Sequence, residues 1–297
     1  MKRIMEVLVA VAVIVLIGAP GAQADGGTID KLYVLDCGVG HSSDVSHWTN
    51  GIGVGEPVDI SVSCYLIHHP TGGYLLSETG VSELVADMPN GWAAGGAQGI
   101  RWTMAKKLTA QLAEVGVSPS DIKYVSISHM HPDSYGNVQL FPDSIVLIQR
   151  LEFENAFPAE PSGGNLAAPP QQSTPSFRPE HAVKLLQGDT DVFGDGSATL
   201  IATPGHTPGH QSLIVHLANT GWVVLTADAV HLQTNWDNRR IPYFARNTMG
   251  EGNVAGIQMW LSMQRLADLQ SFYKAQLWIL HDIEQTKTLK HAPEFYD

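Results

Sequence analysis

Short apolar runs, each bounded by turn residues, recur along the chain and are typical of buried β-strands. Two longer stretches, residues 103–115 and 254–273, instead have apolar residues at helical spacing, and a short helix is predicted over residues 151–157. The predicted strands are residues 32–36, 60–67, 74–77, 124–127, 145–148, 200–202, 211–217, 223–228 and 277–282. Because strands and helices alternate without a glycine-rich phosphate-binding loop, the pattern predicts an α/β protein.

The start of the chain has the pattern of a secretory signal. A positively charged start precedes an unbroken apolar run over residues 7–17, and alanines flank Gln23 just before Asp25. This arrangement is typical of a cleavable leader, and the run is too short to anchor the chain across a bilayer. We therefore expect residues 1–24 to be removed, residues 25–297 to form a single domain, and the mature protein to be periplasmic or secreted.

Composition narrows the range of partners. The chain is 44% hydrophobic and 15% charged, as expected of a globular protein with a sizeable core. Its formal net charge of −12 argues against nucleic acid and anionic membrane surfaces as partners. A solvated acidic surface is the simpler explanation of that charge, so a small-molecule substrate is expected. The composition indicates no oligomeric state.

Candidate chemistry begins at the end of the predicted strand 124–127. His129, His131 and Asp133 follow it closely, and Pro132 stiffens the segment. Side chains at this spacing cannot share one face of a helix, but on a loop at a strand end all three can turn toward one point. Neutral imidazole and carboxylate are ligands that zinc prefers, so the segment predicts a metal site. The simpler alternative is a turn-capping histidine beside a surface histidine.

Three later segments repeat the pattern of a strand followed by a side chain that can bind metal. The turn-rich segment 203–210 carries His206, a later strand ends on Asp228, and the last predicted strand ends with His281. Four such segments in this order are much harder to obtain by chance than any one of them. Together they strengthen the prediction of a metal site.

These segments resemble the metallo-β-lactamase superfamily of hydrolases, and within it most closely the N-acyl-homoserine lactonase branch. The resemblance covers roughly residues 32–282, nearly all of the mature chain. It rests on the sequences LYVLDCG, SCYLI, the HxHxD core, TPGHTPGHQSL and the final His-Asp pair. It implies an αββα sandwich, in which two β-sheets lie face to face, helices cover the outside, and metal ions bind at one sheet edge.

The resemblance also implies a set of zinc ligands. They are His129, His131 and His206 for the first site and Asp133, Asp228 and His281 for the second. Asp228 would bridge the two ions, which would share a hydroxide that attacks an ester, lactone or amide carbonyl. Asp133 would then carry a proton to the leaving alkoxide. The expected activity is the opening of a lactone ring, with N-acyl-homoserine lactone as the first substrate to try.

Three positions depart from the family pattern. Ser134 replaces the last histidine of HxHxDH, a ligand of the second site, so that site is expected to be weak or rich in oxygen donors. Glu78 replaces an aspartate that braces the metal-binding loop, and its additional methylene group is expected to displace the brace. His231 replaces a tyrosine that hydrogen-bonds the substrate carbonyl, and is expected either to donate that bond or to be a buried structural histidine. His210 is expected to pack behind the ligands.

The departures leave several outcomes open. The chain is expected to be a two-zinc enzyme with a loose second site, a one-zinc enzyme, or a non-catalytic binding protein; hydrolysis of another ester or of a β-lactam is the alternative activity. Substrate preference is expected to depend on the loops 39–57, 158–179 and 231–246. Cys37 and Cys64 can pair after export, but the resemblance favours two buried thiols.

Overall fold

The computed structural model describes residues 27–93, 99–157, 181–242 and 254–297. The predicted secretory signal (residues 1–24) and the predicted substrate loop 158–179 lie outside these ranges. None of the helices within these ranges is long and apolar enough to cross a membrane.

Two β-sheets form the centre of the fold. Their strands, within the described residues, are β1 (Lys31–Ser42), β2 (Val58–His69), β3 (Gly73–Ser77), β4 (Trp92–Ala93), β5 (Arg101–Thr103), β6 (Ile122–Ser126), β7 (Ile145–Gln149), β8 (Ala182–Leu186), β9 (Thr190–Asp191), β10 (Ala198–Ala202), β11 (Gln211–Leu217), β12 (Gly221–Leu225) and β13 (Gln276–Trp278). The larger sheet has the order β4-β5-β1-β2-β3-β6-β7-β8, and the smaller sheet has the order β13-β12-β11-β10-β9.

Helices cover the sheets and connect their strands. They are α1 (Leu108–Glu114), α2 (Pro132–Tyr135), α3 (Arg150–Ala156), α4 (Gln233–Asn238), α5 (Val254–Tyr273) and α6 (Ile283–Thr286). Short 3₁₀ turns occur at Val45–His47, Glu83–Asp87, Pro119–Asp121, Val138–Leu140 and Ala227–Ala229. The long helix predicted near the end of the chain and the short helix after β7 are both confirmed.

The helix predicted over residues 103–115 is shorter than expected. Arg101–Thr103 is strand β5, which pairs with β1, so the helix begins only at Leu108. Strand β1 in turn continues to Ser42, inside the stretch 39–57 that the sequence predicted as a loop. Both differences have one cause, which is that β1 pairs with β2 on one side and with β5 on the other. A segment rich in glycine and histidine has little of the residue pattern typical of strands, so the sequence did not predict this pairing.

Among the residues that the structure describes, three apolar clusters separate the layers of the molecule. Alternate residues of β1 point into different clusters, Val34 between the two sheets and Leu35 beneath α1. In the smaller sheet, Val223 packs between the sheets while Val224 packs beneath α5. Because both faces of both sheets are buried, the architecture has four layers in the order helix, sheet, sheet, helix. The predicted αββα sandwich is confirmed.

Cys37 and Cys64 form a disulfide bond, so the expectation of two buried thiols is wrong. The two residues lie on the neighbouring antiparallel strands β1 and β2, and their Cα atoms are 5.8 Å apart. This separation is in the ordinary range for a disulfide. The sequence contained both cysteines but not the register of the two strands, which decides whether they meet.

Parallel strands bring several segments of the chain to one edge of the molecule. Strands β3, β6 and β7 run parallel in the larger sheet, and β12 and β13 run parallel in the smaller one. The carboxyl ends of parallel strands meet at the same edge, and open α/β sheets commonly bind ligands there. The residues that follow these five strands include Glu78, the segment 128–133, Glu152, Asp228 and His281.

Candidate metal centre

Four of the predicted ligands converge at this edge. His129, His131, His206 and Asp228 each direct one donor atom to a common point, with all four atoms within 4.8 Å of one another. Nε2 of His206 lies 3.1 Å from Nε2 of His129 and 3.1 Å from Nδ1 of His131. Two donor atoms bound to one zinc ion at tetrahedral angles lie about 3.3 Å apart. The observed separations therefore fit a single divalent cation.

The remaining two predicted ligands lie on the other side of Asp228. Nε2 of His281 is 3.2 Å from Oδ1 of Asp228 and 3.6 Å from Oδ2 of Asp133. The other oxygen of Asp228, Oδ2, is 3.1 Å from Nε2 of His206. Asp228 thus presents one carboxylate oxygen to each of two groups of donors. This arrangement suits two neighbouring cations that share one carboxylate.

The geometry of the first metal-binding loop follows from its sequence. Strand β6 ends at Ser126, His131 has an extended backbone, and Pro132 then begins α2, which places Asp133 in the first helical turn. The loop is held close to its neighbours at Gly136. A Cβ atom added to Gly136 would lie 2.5 to 2.6 Å from backbone atoms of three other residues, so a larger residue does not fit.

Several ligands are oriented by contacts on the side of the ring away from the cluster. Nδ1 of His129 lies 2.8 Å from Oγ of Ser128, and Nδ1 of His281 donates a hydrogen bond of 2.7 Å to the carbonyl of Ser61. Such contacts fix the ring orientation and leave Nε2 available for a metal ion. His210 accepts a hydrogen bond from the backbone N–H of Asp228 at 3.0 Å, so it lies behind the cluster as expected.

Glu78 braces the first metal-binding loop, although the sequence predicted a displaced brace. Its Oε1 accepts the backbone N–H of Ser128 at 2.9 Å. Glu78 has a positive φ of 63°, which is unusual for a residue other than glycine. Complete burial raises the pKa of its carboxyl group to about 8. The brace is therefore in place despite the additional methylene group.

Glu152 is a positioning residue that the sequence analysis missed. Its Oε1 accepts the backbone N–H of Met130 at 2.8 Å, and its Oε2 accepts the backbone N–H of Gly209 at 3.0 Å. One buried carboxylate on α3 therefore ties together the two loops that carry His129 and His206. The available signal was its place in the first turn after β7, a parallel strand that ends at the same edge.

The cluster maintains the ionisation states that metal binding requires. Burial holds the pKa values of His129 and His206 well below their usual range, which keeps both imidazoles neutral. Burial alone would raise the pKa of Asp228, but the surrounding imidazoles hold it well below its usual range. Neutral imidazole and ionised carboxylate are the forms that bind a cation. His131 is exposed and leaves the cluster accessible from that side.

The pKa of His281 is shifted upward, in the opposite direction from the pKa values of His129 and His206. Burial alone would lower its pKa, but the carboxylates of Asp228 and Asp133 raise it to about 9. Burial raises the pKa of Asp133 above its usual range. The half of the cluster around His281 therefore holds a proton in the absence of a cation, and a cation bound there has to displace it.

His231 lies inside the cluster. It is completely buried, and its Nε2 is 3.2 Å from Oδ2 of Asp228. The indole of Trp48 covers it, with ring centres 5.3 Å apart. The stretch 231–246 was predicted as a loop, but its residues 233–238 form helix α4. Asn235 of this helix is buried and donates a hydrogen bond to the carbonyl of Trp48, which holds the helix against the centre.

A four-layer sandwich with histidines and aspartates gathered at one sheet edge defines a class of metal-dependent hydrolases. A family model of the metallo-beta-lactamase superfamily matches residues 58–256, and the chain belongs to this superfamily. The chain is also similar to the N-acyl homoserine lactonase AttM of Rhizobium radiobacter. The two are 32% identical over 90% of this chain and 98% of that protein.

Solved structures give the same result. The chain is similar to a variant of B. thuringiensis AiiA with N-decanoyl-L-homoserine bound at its active site, with a TM-score of 0.71 and 26% identity over 90% of this chain and 99% of that one. It is also similar to an N-acyl homoserine lactone hydrolase with the product N-hexanoyl-L-homoserine bound at the catalytic metal center. In that case the TM-score is 0.72, with 27% identity over 90% of this chain and 99% of that one.

Proposed function

We propose that this protein is a zinc-dependent lactonase that hydrolyses N-acyl-homoserine lactones. The observation that carries the proposal is the convergence of His129, His131, His206 and Asp228 on one point, in a chain that matches lactonases over nine-tenths of its length. His129, His131 and His206 would hold one zinc ion, Asp133 and His281 would hold a second, and Asp228 would supply a carboxylate oxygen to each. This donor set of imidazoles and carboxylates is the one that zinc prefers.

When bound, the cations acidify a water molecule and polarise the substrate carbonyl. The protein supplies the proton path. The oxygen of the water bonds to the carbonyl carbon, and one of its protons passes to Asp133. The ring C–O bond then breaks, and Asp133 returns the proton to the alkoxide that is released. A carboxylate positioned beside the reacting water can carry a proton in this way.

The N-terminal pattern supports an extracytoplasmic location for this activity. A positively charged start, an apolar run and a small-residue site before Asp25 are the features typical of a cleavable leader. We therefore propose that the mature chain begins at Asp25 and acts in the periplasm or outside the cell. Mass spectrometry of the protein recovered from the periplasm or medium tests this: the mass should correspond to residues 25–297.

Parallel rate measurements test the substrate. The zinc-loaded protein is assayed by kcat/KM with N-acyl-homoserine lactones of several acyl lengths, a linear carboxylic ester and a β-lactam. The lactones should give the highest values, and His206→Ala should abolish turnover while Lys287→Ala, on the exposed surface, should not change it. A preference for the ester or the β-lactam would replace the proposed substrate. No turnover of any substrate would favour a non-catalytic binding protein.

A further inference from the structure

The first three turns of α5 are apolar on the side that faces solvent as well as on the side that faces the core. Four large side chains of these turns are each 45% to 55% exposed: Val254, Ile257, Trp260 and Leu261. The buried side of the same turns is formed by Ala255, Gly256, Met259, Ser262 and Met263. Residues 254–264 contain no charged side chain. A helix that is apolar all round is normally buried on every side, so this stretch is expected to have a partner.

The exposed side chains form one strip along the helix, which we call the outer face of α5. Val254, Ile257 and Leu261 are three and four residues apart in sequence, so they lie one above another on the same face. Trp260 lies beside them, and the strip is about 10 Å long at 1.5 Å per residue. At half exposure, four side chains of this size leave on the order of 400 Å² of apolar surface open, and a patch of this size often marks an interaction site.

The helix that carries the outer face is held against the loop of His206. Oγ of Ser262 donates a hydrogen bond of 2.7 Å to the carbonyl of Pro204. Gly205 lies so close to the helix that an added Cβ atom would be 2.2 Å from the backbone nitrogen of Met259. The outer face is therefore a fixed surface, and it lies on the opposite side of the helix from the loop that carries a metal ligand.

The chemistry of the outer face favours a protein over a lipid surface or a small molecule. Helices that lie on membranes carry Lys and Arg on their polar face, whereas Arg265, the first charged residue of α5, pairs with Asp189. The net charge of −12 also opposes binding to anionic lipids. Small apolar ligands bind in concave pockets, but one face of a helix is convex. A protein surface is the occupant that this face fits.

Charge and area favour a second copy of the chain. A different protein would be recognised through complementary charge, and residues 254–264 offer none. Two copies that each carry a net charge of −12 repel one another, so an uncharged strip is where they can approach. A two-fold dimer, the commonest kind of oligomer, uses the same strip twice. With its polar rim, the contact would bury roughly 1,000 Å² in total, the lower limit for a specific interface, which predicts a reversible dimer.

We propose that the outer face of α5 binds the same face of a second copy of this chain and forms a two-fold symmetric dimer. Ile257 is at the centre of the strip, so a two-fold axis through that centre brings the Ile257 side chains of the two copies together. An axis perpendicular to the helices makes them antiparallel, so Val254 of one copy faces Leu261 of the other. The dimer involves none of the proposed metal ligands, so this inference does not depend on the proposed function.

The test is sedimentation velocity of the mature protein from about 1 to about 200 µM, a range that brackets a micromolar dissociation constant. The natural protein should change from monomer to dimer within this range. Ile257→Glu should weaken the dimer by at least about 100-fold, because it brings two carboxylates together at the axis. Leu151→Glu is the matched control, since Leu151 and Ile257 are both on helices and are both 55% exposed.

A mixture of two variants tests the symmetry of the contact. Ile257→Glu and Ile257→Lys should each be monomeric alone, because each places like charges at the axis. Mixed in equal amounts, they should form a heterodimer, because opposite charges then meet. The circular dichroism spectrum and the zinc content of both variants should match those of the natural protein, since position 257 is exposed and lies on the side of α5 away from the loop of His206.

Three results would overturn the proposal. A natural protein that sediments as a monomer at every concentration would leave residues 243–253, which directly precede the helix, or a different protein as the occupant of the outer face. A dimer that is equally stable in Ile257→Glu would have its contact elsewhere on the surface. A dimer that Leu151→Glu weakens as much as Ile257→Glu would respond to added charge in general and not to the outer face of α5.

Discussion

The hydroxyl group of Ser134 lies 3.2 Å from Nδ1 of His129. That nitrogen is on the opposite side of the ring from Nε2, which faces His206 across 3.1 Å. Ser134 therefore contacts a ligand from behind and adds no donor to the centre. The residue that breaks the HxHxDH pattern orients an imidazole instead of binding a cation.

Replacing Ser134 with alanine tests this orienting role. The affinity for the first cation should fall about 10-fold, the low end of the range for such contacts, because Oγ of Ser128 remains 2.8 Å from the same nitrogen. Competition with a chromogenic chelator measures the change. Ser120→Ala, on an exposed 3₁₀ turn, is the control. Equal affinity in the two variants would show that the contact with His129 has no orienting effect.

Glu152→Gln should weaken metal binding, although residue 152 is not one of the proposed metal ligands. The glutamine keeps one acceptor oxygen, but its NH₂ group then meets one of two backbone N–H donors, those of Met130 and Gly209. A buried donor left without an acceptor costs about 1 to 3 kcal/mol of stability. Urea unfolding measures the free energy, and chelator competition measures metal retention. Glu154→Gln, at an exposed position on the same helix, should change neither the unfolding free energy nor metal retention. A loss in this control as large as that in Glu152→Gln would show that Glu152 has no specific positioning role.

The disulfide should contribute substantially to stability. Cys37 and Cys64 are 27 residues apart in sequence, and the cross-link restricts the unfolded chain. Closure of a loop of this length corresponds to about 3.5 kcal/mol in the chain-entropy model. In urea unfolding, a reductant should lower the unfolding free energy of the natural protein by about this amount. The unfolding free energy of the variant with serine at both positions should not depend on the reductant. Two titratable thiols in the native protein would contradict the bond.

The hydrogen bond between Nε2 of His69 and the carboxylate of Asp195 should give stability that depends on pH. Partial burial opposes the shift, but hydrogen bonds from Ser197 and His69 lower the pKa of Asp195 from 3.8 to about 2. A folded-state pKa below the unfolded value means that the contribution is complete above about pH 4 and is lost as the pH falls toward 2. The contribution is on the order of 1 kcal/mol, because the pair is partly solvated.

Unfolding of the natural protein and of Asp195→Asn at a series of pH values measures this contribution. The difference in unfolding free energy between the two proteins should be constant near neutral pH and shrink between pH 4 and pH 2. A difference that stays constant down to pH 2 would show that the carboxylate of Asp195 is not stabilised in the folded state.

The sequence was most informative where one short segment was enough to predict a functional residue. Each of the predicted ligands lies in a short segment that follows a strand, and the residue types that bind zinc are few, so His129, His206 and Asp228 could be identified from short segments. The two-sheet architecture followed from the resemblance of those segments to the family. The structure brings the six predicted side chains to one edge.

Contacts between segments that are distant in the chain could not be predicted from the sequence. Glu152 accepts hydrogen bonds from Met130, 22 residues earlier in the chain, and from Gly209, 57 residues later. No local sequence pattern indicates either contact. The pairing of Cys37 with Cys64 depends on strand register. The position of His231 depends on Trp48, nearly two hundred residues earlier in the chain, whose indole no local pattern places beside the cluster.

Metal removal and reconstitution is the most direct measurement of the proposed activity. The mature protein is stripped with a chelator, zinc is added back in steps, and the opening of N-hexanoyl-homoserine lactone is followed by release of acid. Activity should be absent from the stripped protein and should return as zinc rises to about two ions per chain. Lactone opening by the stripped protein, or none at full zinc loading, would contradict a zinc-dependent lactonase.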